Sequence, residues 1–116
     1  MTAINKKMTA KIWHDKAMTL SQDALVRQLK GQSGFLDMYV EAFENEQKAA
    51  MLFLDMLDNE PTRSVLFRSA ASLAIQCGKL NDAEQLIEIG LSGKPPKAIA
   101  AELIDLQSQI TLQMNL

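Results

Sequence analysis

A short pattern of residues occurs twice in the chain, at an interval of 34 positions. Each copy consists of a small residue, a large apolar residue and a proline: Ala49, Phe53 and Pro61 in the first copy, and Ala83, Ile87 and Pro95 in the second. A repeat of this length is one supersecondary unit, which cannot bury its apolar face alone and therefore packs against its neighbours. The interval predicts a fold built from stacked repeats.

Apolar residues recur at steps of three and four, which is the period of an α-helix and not of a strand. Glycines and prolines divide the chain into five predicted helices, at about residues 8–30, 35–57, 61–77, 81–92 and 96–114. Gly31 and Gly78 stand where the first and third helices are predicted to stop. Asn81, with Glu84 three residues later, resembles a capping box for the fourth. The sequence thus predicts an all-α fold of antiparallel helical hairpins, with more than about 60% helix and no sheet.

The second predicted helix carries one carboxylate in its apolar stripe. The members of this stripe are Phe35, Tyr39, Ala42, Glu46, Ala49, Phe53 and Met56. Glu46 is expected to form a structural ion pair, for which the candidate partners are Lys16, Arg63 and Arg68; the alternative is a general base in an apolar pocket. The corresponding stripe of the first helix is Trp13, Ala17, Leu20, Ala24 and Leu25. The methionines of helix two are expected to fill the core rather than to form an adaptable binding surface.

Charge is distributed unevenly along the chain, although the net charge is only −2 and the pI about 5.3. Residues 1–30 carry a local charge of +4 and residues 31–60 a local charge of −6. Antiparallel packing of the first two helices would bring these opposite charges together. The basic first helix could also bind nucleic acid, through Lys11, Lys16, Arg27 and Lys30. Because the acidic second helix lies beside it, no nucleic-acid partner is expected.

The single cysteine, Cys77, cannot form an internal disulfide, and this suits a reducing compartment. Cys77 is expected to be a buried packing thiol. No stretch approaches the roughly 18–20 apolar residues that span a bilayer, and residues 1–7 do not resemble a secretory signal. A cytoplasmic protein without membrane contact is the expectation.

Residues 64–95 resemble one tetratricopeptide repeat. Their first helix has the aromatic Phe67, followed by the small residues Ala70, Ala71 and Ala74. Their second helix has Ala83, Ile87 and the small residue Gly90, followed by Pro95. An earlier, stretched copy keeps Trp13, Ala17 and Leu20 but has Lys16 where the family has leucine. The chain thus resembles the tetratricopeptide repeat family, and in particular small bacterial members whose biochemical role is not established.

This resemblance implies a fragment of a right-handed α-solenoid, with about five helices and an elongated first hairpin. The single predicted domain, 1–116, divides into a flexible tail (1–7), an elongated degenerate repeat (8–60), a repeat (61–95) and a capping helix (96–116).

A row of polar residues on the third helix is the strongest candidate for a binding site. The row contains Ser64, Arg68, Ser72 and Gln76, with Ser69 beside it. The resemblance implies that the first helix of each repeat lines a concave surface, that Lys11, His14 and Met18 neighbour the row, and that the surface holds a peptide. An ordinary solvated face is the alternative. A further alternative is that Arg68 is a buried structural ion paired with Glu46.

No motif in the sequence indicates catalysis, a cofactor or a metal. His14 and Asp15 are adjacent on a helix and point about 100° apart, so they cannot act as a pair; His14 is expected to be solvated or to act as a cap. No second histidine, paired cysteines, phosphate loop or nucleophile elbow occurs. The expected function is therefore a non-catalytic module for protein interaction. A self-associating homodimer is the alternative.

Overall fold

The computed structural model describes residues 2–115 and consists of five α-helices. They are α1 (Ala3–Leu29), α2 (Phe35–Met51), α3 (Thr62–Gln76), α4 (Leu80–Ser92) and α5 (Lys97–Met114). Of residues 2–115, 79% are helical, and none lies in a strand. The predictions of an all-α fold and of five helices are confirmed.

Each helix packs against the next one along the chain, and α3 also contacts α5. The α1–α2 pair is antiparallel, because Tyr39 near the start of α2 donates a hydrogen bond to Gln28 near the end of α1. At the opposite end of the pair, His14 bonds to Glu46. Lys16 of α1 also forms an ion pair with Glu41 of α2 at 3.4 Å. The opposite charges of the first two helices therefore meet, as the sequence predicts.

Small residues allow the helices to approach closely. Ala10, Ala17 and Ala24 recur every seventh residue of α1, and all three are buried. In α3 and α4 the residues of the repeat pattern are fully buried: Phe67, Ala70, Ala71, Ala74, Ala83 and Ile87. A Cβ atom on Gly90 would lie 3.1 Å from Leu103 Cδ1 and 3.2 Å from Phe67 Cβ, so this glycine allows α4 to contact α3 and α5. Leu25, predicted in the stripe of α1, is exposed instead.

Two glycines end helices by the same hydrogen-bonding motif. Gly31 and Gly78 have φ angles of 68° and 73°, a left-handed conformation that disfavours other residues. After α1 the N–H of Gln32 donates to Arg27 O, and after α3 the N–H of Lys79 donates to Ala74 O. These are the 6→1 bonds of a Schellman motif, and the glycine N–H makes the accompanying 5→2 bond in both.

The bounds of three helices differ from the prediction. Helix α1 begins at Ala3, because the Thr2 hydroxyl caps it by accepting a bond from Asn5 N; residues 3–7 are thus helical, not a flexible tail. Helix α2 ends at Met51 rather than near 57, so the first hairpin is elongated mainly through α1. Helix α4 begins after Lys79, and no side chain caps it, so the capping box predicted at Asn81 is wrong. Met1 and Leu116, in the predicted tail and capping helix, lie outside the described residues.

A buried arginine joins the end of the first hairpin to the second. Arg63 is 1% exposed, and its guanidinium donates to the carbonyl oxygens of Phe53 (3.1 Å), Leu54 (3.0 Å) and Ile89 (3.2 Å). These carbonyls follow the end of α2 or lie in the last turn of α4, where helical acceptors lack internal partners. A Cβ atom on Gly93 would lie 2.5 Å from Arg63 Nη1, so the glycine makes room for the guanidinium.

Candidate functional site

A groove of about 540 Å³ lies between helices α1, α3 and α5, and we call it the central groove. Its lining residues are Met18, Ser21, Gln22 and Leu25 of α1, Tyr39 of α2, Arg68, Ser69, Ser72, Leu73 and Gln76 of α3, and Glu102, Asp105, Leu106 and Gln109 of α5. Leu73 and Leu106 provide a buried apolar floor. Serine and glutamine side chains around it can donate and accept hydrogen bonds.

Five of the eight residues predicted for the site meet in this groove. They are Met18, Arg68, Ser69, Ser72 and Gln76. Ser72 and Gln76 are exposed, whereas Met18, Arg68 and Ser69 are half-buried. The surface predicted from α3 and part of α1 is therefore contiguous, although its binding role stays a prediction.

Ser64 lies outside the groove and is fully buried. Its N–H donates to Glu60 Oε1 at 2.9 Å, and its hydroxyl donates to Pro61 O at 3.3 Å. A step of four residues turns a helix by about 40° beyond a full turn. The row that begins at Ser64 therefore winds around α3, so that Ser64 faces the core while Gln76 faces the groove.

Lys11 and His14 also lie outside the central groove. They line a second pocket of about 350 Å³, together with Lys7, Ala10, Phe53, Asn59, Thr62 and Leu66. Lys11 forms an ion pair with Asp15 at 2.7 Å, and this hydrogen bond lowers the pKa of the Asp15 carboxyl. Lys11 and His14 thus line a different pocket from Arg68, although His14 contacts the Glu46 carboxylate that Ser69 and Arg68 also influence.

His14 holds the buried carboxylate of α2. Its Nδ1 lies 2.9 Å from both carboxylate oxygens of Glu46, which is fully buried. The expectation that His14 is solvated is therefore wrong, and the partner of Glu46 is none of the three cations that the sequence suggested. The positions of the two residues along their helices could have identified the pair. When α1 and α2 pack antiparallel, the second half of α2, with Glu46, lies beside the first half of α1, with His14.

Burial raises the pKa of the Glu46 carboxyl above its ordinary value of 4.5. The hydrogen bond from His14 acts in the opposite direction, as do Ser69 and the positive charge of Arg68, but these are smaller effects. Desolvation thus outweighs the partners, which fits a structural carboxylate buried between helices.

Arg68 forms its ion pair with Glu102 of α5 and not with Glu46. Arg68 and Glu102 are 34 residues apart, which is the interval of the repeat in the sequence. Equivalent positions in successive repeats lie side by side when repeats stack, so this interval was a usable signal. Two carboxylates, Glu102 and Asp105, line the groove together with one cation, Arg68, which is bonded to Glu102. The groove therefore carries more negative than positive charge.

The charged side chains that line the central groove are Arg68, Glu102 and Asp105. Arg68 is the one cation among the lining residues, and it is bonded to a carboxylate. Across residues 2–115, no group of three side chains is placed to hold a metal ion. Over the same range no helix is long and apolar enough to cross a membrane.

Two further residues, Cys77 and Met51, differ from expectation. Cys77 is half-buried rather than buried, and burial raises the pKa of its thiol. Met38 and Met56 pack against the core as predicted, whereas Met51 is exposed.

Comparison with known protein families, curated proteins and solved structures finds no match to this chain, so the tetratricopeptide resemblance stays a prediction from the residues quoted above.

Proposed function

We propose that the chain is a non-catalytic interaction module that holds a peptide or protein segment in the central groove. The observation that carries this proposal is the composition of the groove. An apolar floor of Leu73 and Leu106 is flanked by uncharged hydrogen-bonding side chains such as Ser72 and Gln76. An extended segment offers main-chain donors and acceptors together with apolar side chains, and this lining satisfies both.

The tetratricopeptide-like arrangement, a right-handed α-solenoid fragment, is part of the same proposal. It is supported by the successive antiparallel hairpins, by the buried small residues of α3 and α4, and by the contact between Arg68 and Glu102 at the repeat interval. Helical repeats commonly present such grooves as binding surfaces. The proposed module acts in the cytoplasm, which suits its single cysteine.

Arg68 is proposed to select the segment by its charge. An incoming carboxylate would replace Glu102 as the partner of Arg68, and arginine matches a carboxylate with two parallel hydrogen bonds.

Selection from a random peptide library tests the proposal, with the protein immobilised and a photo-crosslinking residue at Ser72 in a parallel sample. We expect selected peptides to crosslink at position 72 and to lose roughly 30-fold or more in affinity for Arg68→Ala, which corresponds to about 2 kcal/mol or more. The matched control is Arg27→Ala, an exposed arginine outside the groove, which should bind as the wild type does. Arg68→Ala should keep its melting temperature, since a partly exposed pair contributes roughly 0–1 kcal/mol. Peptides that bind Arg68→Ala and wild type equally, or no selected peptide at all, would refute the proposal.

A further inference from the structure

The first turns of α1 extend past the end of α2, and Lys7 and Lys11 there line the second pocket beside the α2–α3 connection. Helix α1 has 27 residues and α2 has 17, so the antiparallel partner ends before the N-terminal part of α1 does. Residues 2–9 are all exposed or half-buried, and Ala10 is the first buried residue. We call residues 3–12 the α1 overhang.

The α1 overhang carries an exposed apolar stripe with a basic edge. Ile4, Met8 and Ile12 are 71%, 62% and 68% exposed and recur at steps of four, so they lie along one side of the helix. Lys7 and Lys11 follow the same step and lie beside the stripe. No acidic residue occurs in the overhang. A helix with an apolar stripe beside a charged edge is amphipathic, and such a helix can dock into an apolar groove.

A second groove, on α4 and α5, has the complementary character. It has a volume of about 710 Å³, we call it the α4–α5 groove, and it is lined by Glu84, Glu88, Ile104, Gln107, Ser108, Ile110, Thr111 and Leu112. Ile110 forms a buried floor, while Ile104 and Leu112 are 52% and 68% exposed. No lining residue is a cation.

The acidic edge of this groove has no partner within residues 2–115. Glu84 and Glu88 are exposed and stand one helical turn apart on α4, and no ion pair in the described range includes either. Like charges at this spacing repel each other on an isolated helix. Lys7 and Lys11 on the overhang have the same four-residue spacing.

We propose that the α1 overhang of one molecule docks into the α4–α5 groove of a second copy of this chain. The apolar stripe would cover Ile104 and Leu112, while Lys7 and Lys11 face Glu84 and Glu88. Within one molecule α1 packs on α2, and α4 packs on α3 and α5, so the two surfaces meet only between molecules. Such a contact is heterologous: each molecule keeps one free overhang and one free groove, so assembly continues with concentration unless a ring closes. The central groove is a separate surface, and this inference does not depend on it.

Paired charge reversals test the assignment of the two surfaces. One variant carries Lys7→Glu and Lys11→Glu, and the other carries Glu84→Lys and Glu88→Lys. Each is measured alone and in an equimolar mixture by sedimentation velocity, over a range of concentrations and at low salt, where the pairing of exposed charges is strongest. Of the four substituted residues, Lys11 forms an ion pair with Asp15, and the other three form none within residues 2–115. Circular dichroism checks that both variants stay helical.

The wild type is expected to increase in mean mass with concentration, and each variant alone to remain monomeric. In the mixture, the acidic overhang of the first variant matches the basic groove of the second, and the unchanged basic overhang of the second matches the unchanged acidic groove of the first. The expected result is therefore that the mixture associates again and increases in mean mass with concentration, with the two variants alternating. A variant with Ile104→Ser should also be monomeric, because it removes apolar contact without changing charge.

Three outcomes would overturn the proposal. A wild type that stays monomeric at every concentration means that these faces do not bind each other. A groove variant that associates as the wild type does means that another surface mediates assembly, for example two overhangs. Two variants that stay monomeric when mixed show that these charges do not pair.

Discussion

Within residues 2–115, two charged side chains are fully buried, and their hydrogen-bond partners differ. Arg63 donates to three main-chain carbonyls at the ends of helical segments. Glu46 has one strong donor, His14, and burial still raises its pKa. Arginine thus contributes to the connection between hairpins, whereas the buried carboxylate costs stability when it is ionised.

We predict that Glu46→Gln makes the stability of the protein less sensitive to a rise in pH above 4.5. Because the pKa of Glu46 is raised in the folded state, its contribution is full below pH 4.5, the ordinary value, and is lost as the pH rises through the raised pKa. The glutamine variant should therefore gain in unfolding free energy relative to wild type as pH rises, by about 1.4 kcal/mol for each unit by which the pKa is raised. Urea unfolding of both proteins at several pH values between about 4 and 8 measures this difference. A constant difference would show that Glu46 titrates as it does in the unfolded chain.

We predict that Arg63→Leu lowers the free energy of unfolding by about 2–4 kcal/mol, because the carbonyl of Leu54 loses both of its donors and those of Phe53 and Ile89 lose one donor each. The matched control is Arg27→Leu. Arg27 is exposed and makes one bond, of 3.3 Å, to Ser33 O, so its loss should cost less than about 1 kcal/mol. Equal costs for the two variants would mean that Arg63 is not a structural residue.

At the scale of helices, alanine and glycine determine how closely neighbours approach. The seams of α1 and α3 are built largely from alanines that are 0–3% exposed. Larger apolar residues would add area but would separate the helices, and well-packed interiors do not absorb that change without strain. The close approach of the helices therefore depends on where small residues occur in the sequence, and not on the total number of apolar residues.

We predict that Ala71→Leu destabilises the protein by roughly 1–3 kcal/mol, since Ala71 is fully buried and the added atoms would force α3 away from its neighbours. The control is the same substitution at an exposed helical position, Ala101→Leu, which should change stability by no more than about 0.5 kcal/mol. Thermal and urea unfolding provide both values. An unchanged melting temperature for Ala71→Leu would mean that no helix approaches α3 at this residue.

The whole molecule measures 42 × 32 × 21 Å and has a Cα radius of gyration of 14.1 Å. A compact domain of this length would have a radius near 13 Å. Helix α1 contributes to the elongation, because its 27 residues span about 40 Å along the helix axis.

We predict that deletion of residues 1–7 changes the free energy of unfolding by less than about 1 kcal/mol, because no residue before Ala10 in the described chain is buried. A longer deletion, of residues 1–14, removes Ala10, Trp13 and the His14 partner of Glu46, and should lower the melting temperature sharply. Differential scanning calorimetry compares the two. Similar losses in both would show that the overhang belongs to the folding core.

The sequence by itself determined the local features of this protein. Helical periodicity and the left-handed glycines at 31 and 78 predict the number of helices and most of their ends, because these signals act within one or two turns. The small residues of α3 and α4 predict the close helix contacts for the same reason. Five of the eight predicted site residues also share a groove, since they lie on helices whose neighbours follow from short connections.

Only the tertiary structure decided which distant side chains meet. Glu46 pairs with His14 across 32 residues, and Arg68 pairs with Glu102 across 34. From the sequence alone, several cations were possible partners for each carboxylate, because the relative positions of the helices were unknown. Ser64 faces the core because the row of polar residues winds around α3. Helix α2 ends before the predicted residue, and Arg63 donates hydrogen bonds to the carbonyls that follow its end. Hydrogen bonds within a helix depend on neighbours in the chain, whereas these contacts depend on the angle and depth at which whole helices pack. That is the physical reason why the elements could be predicted and their polar partners could not.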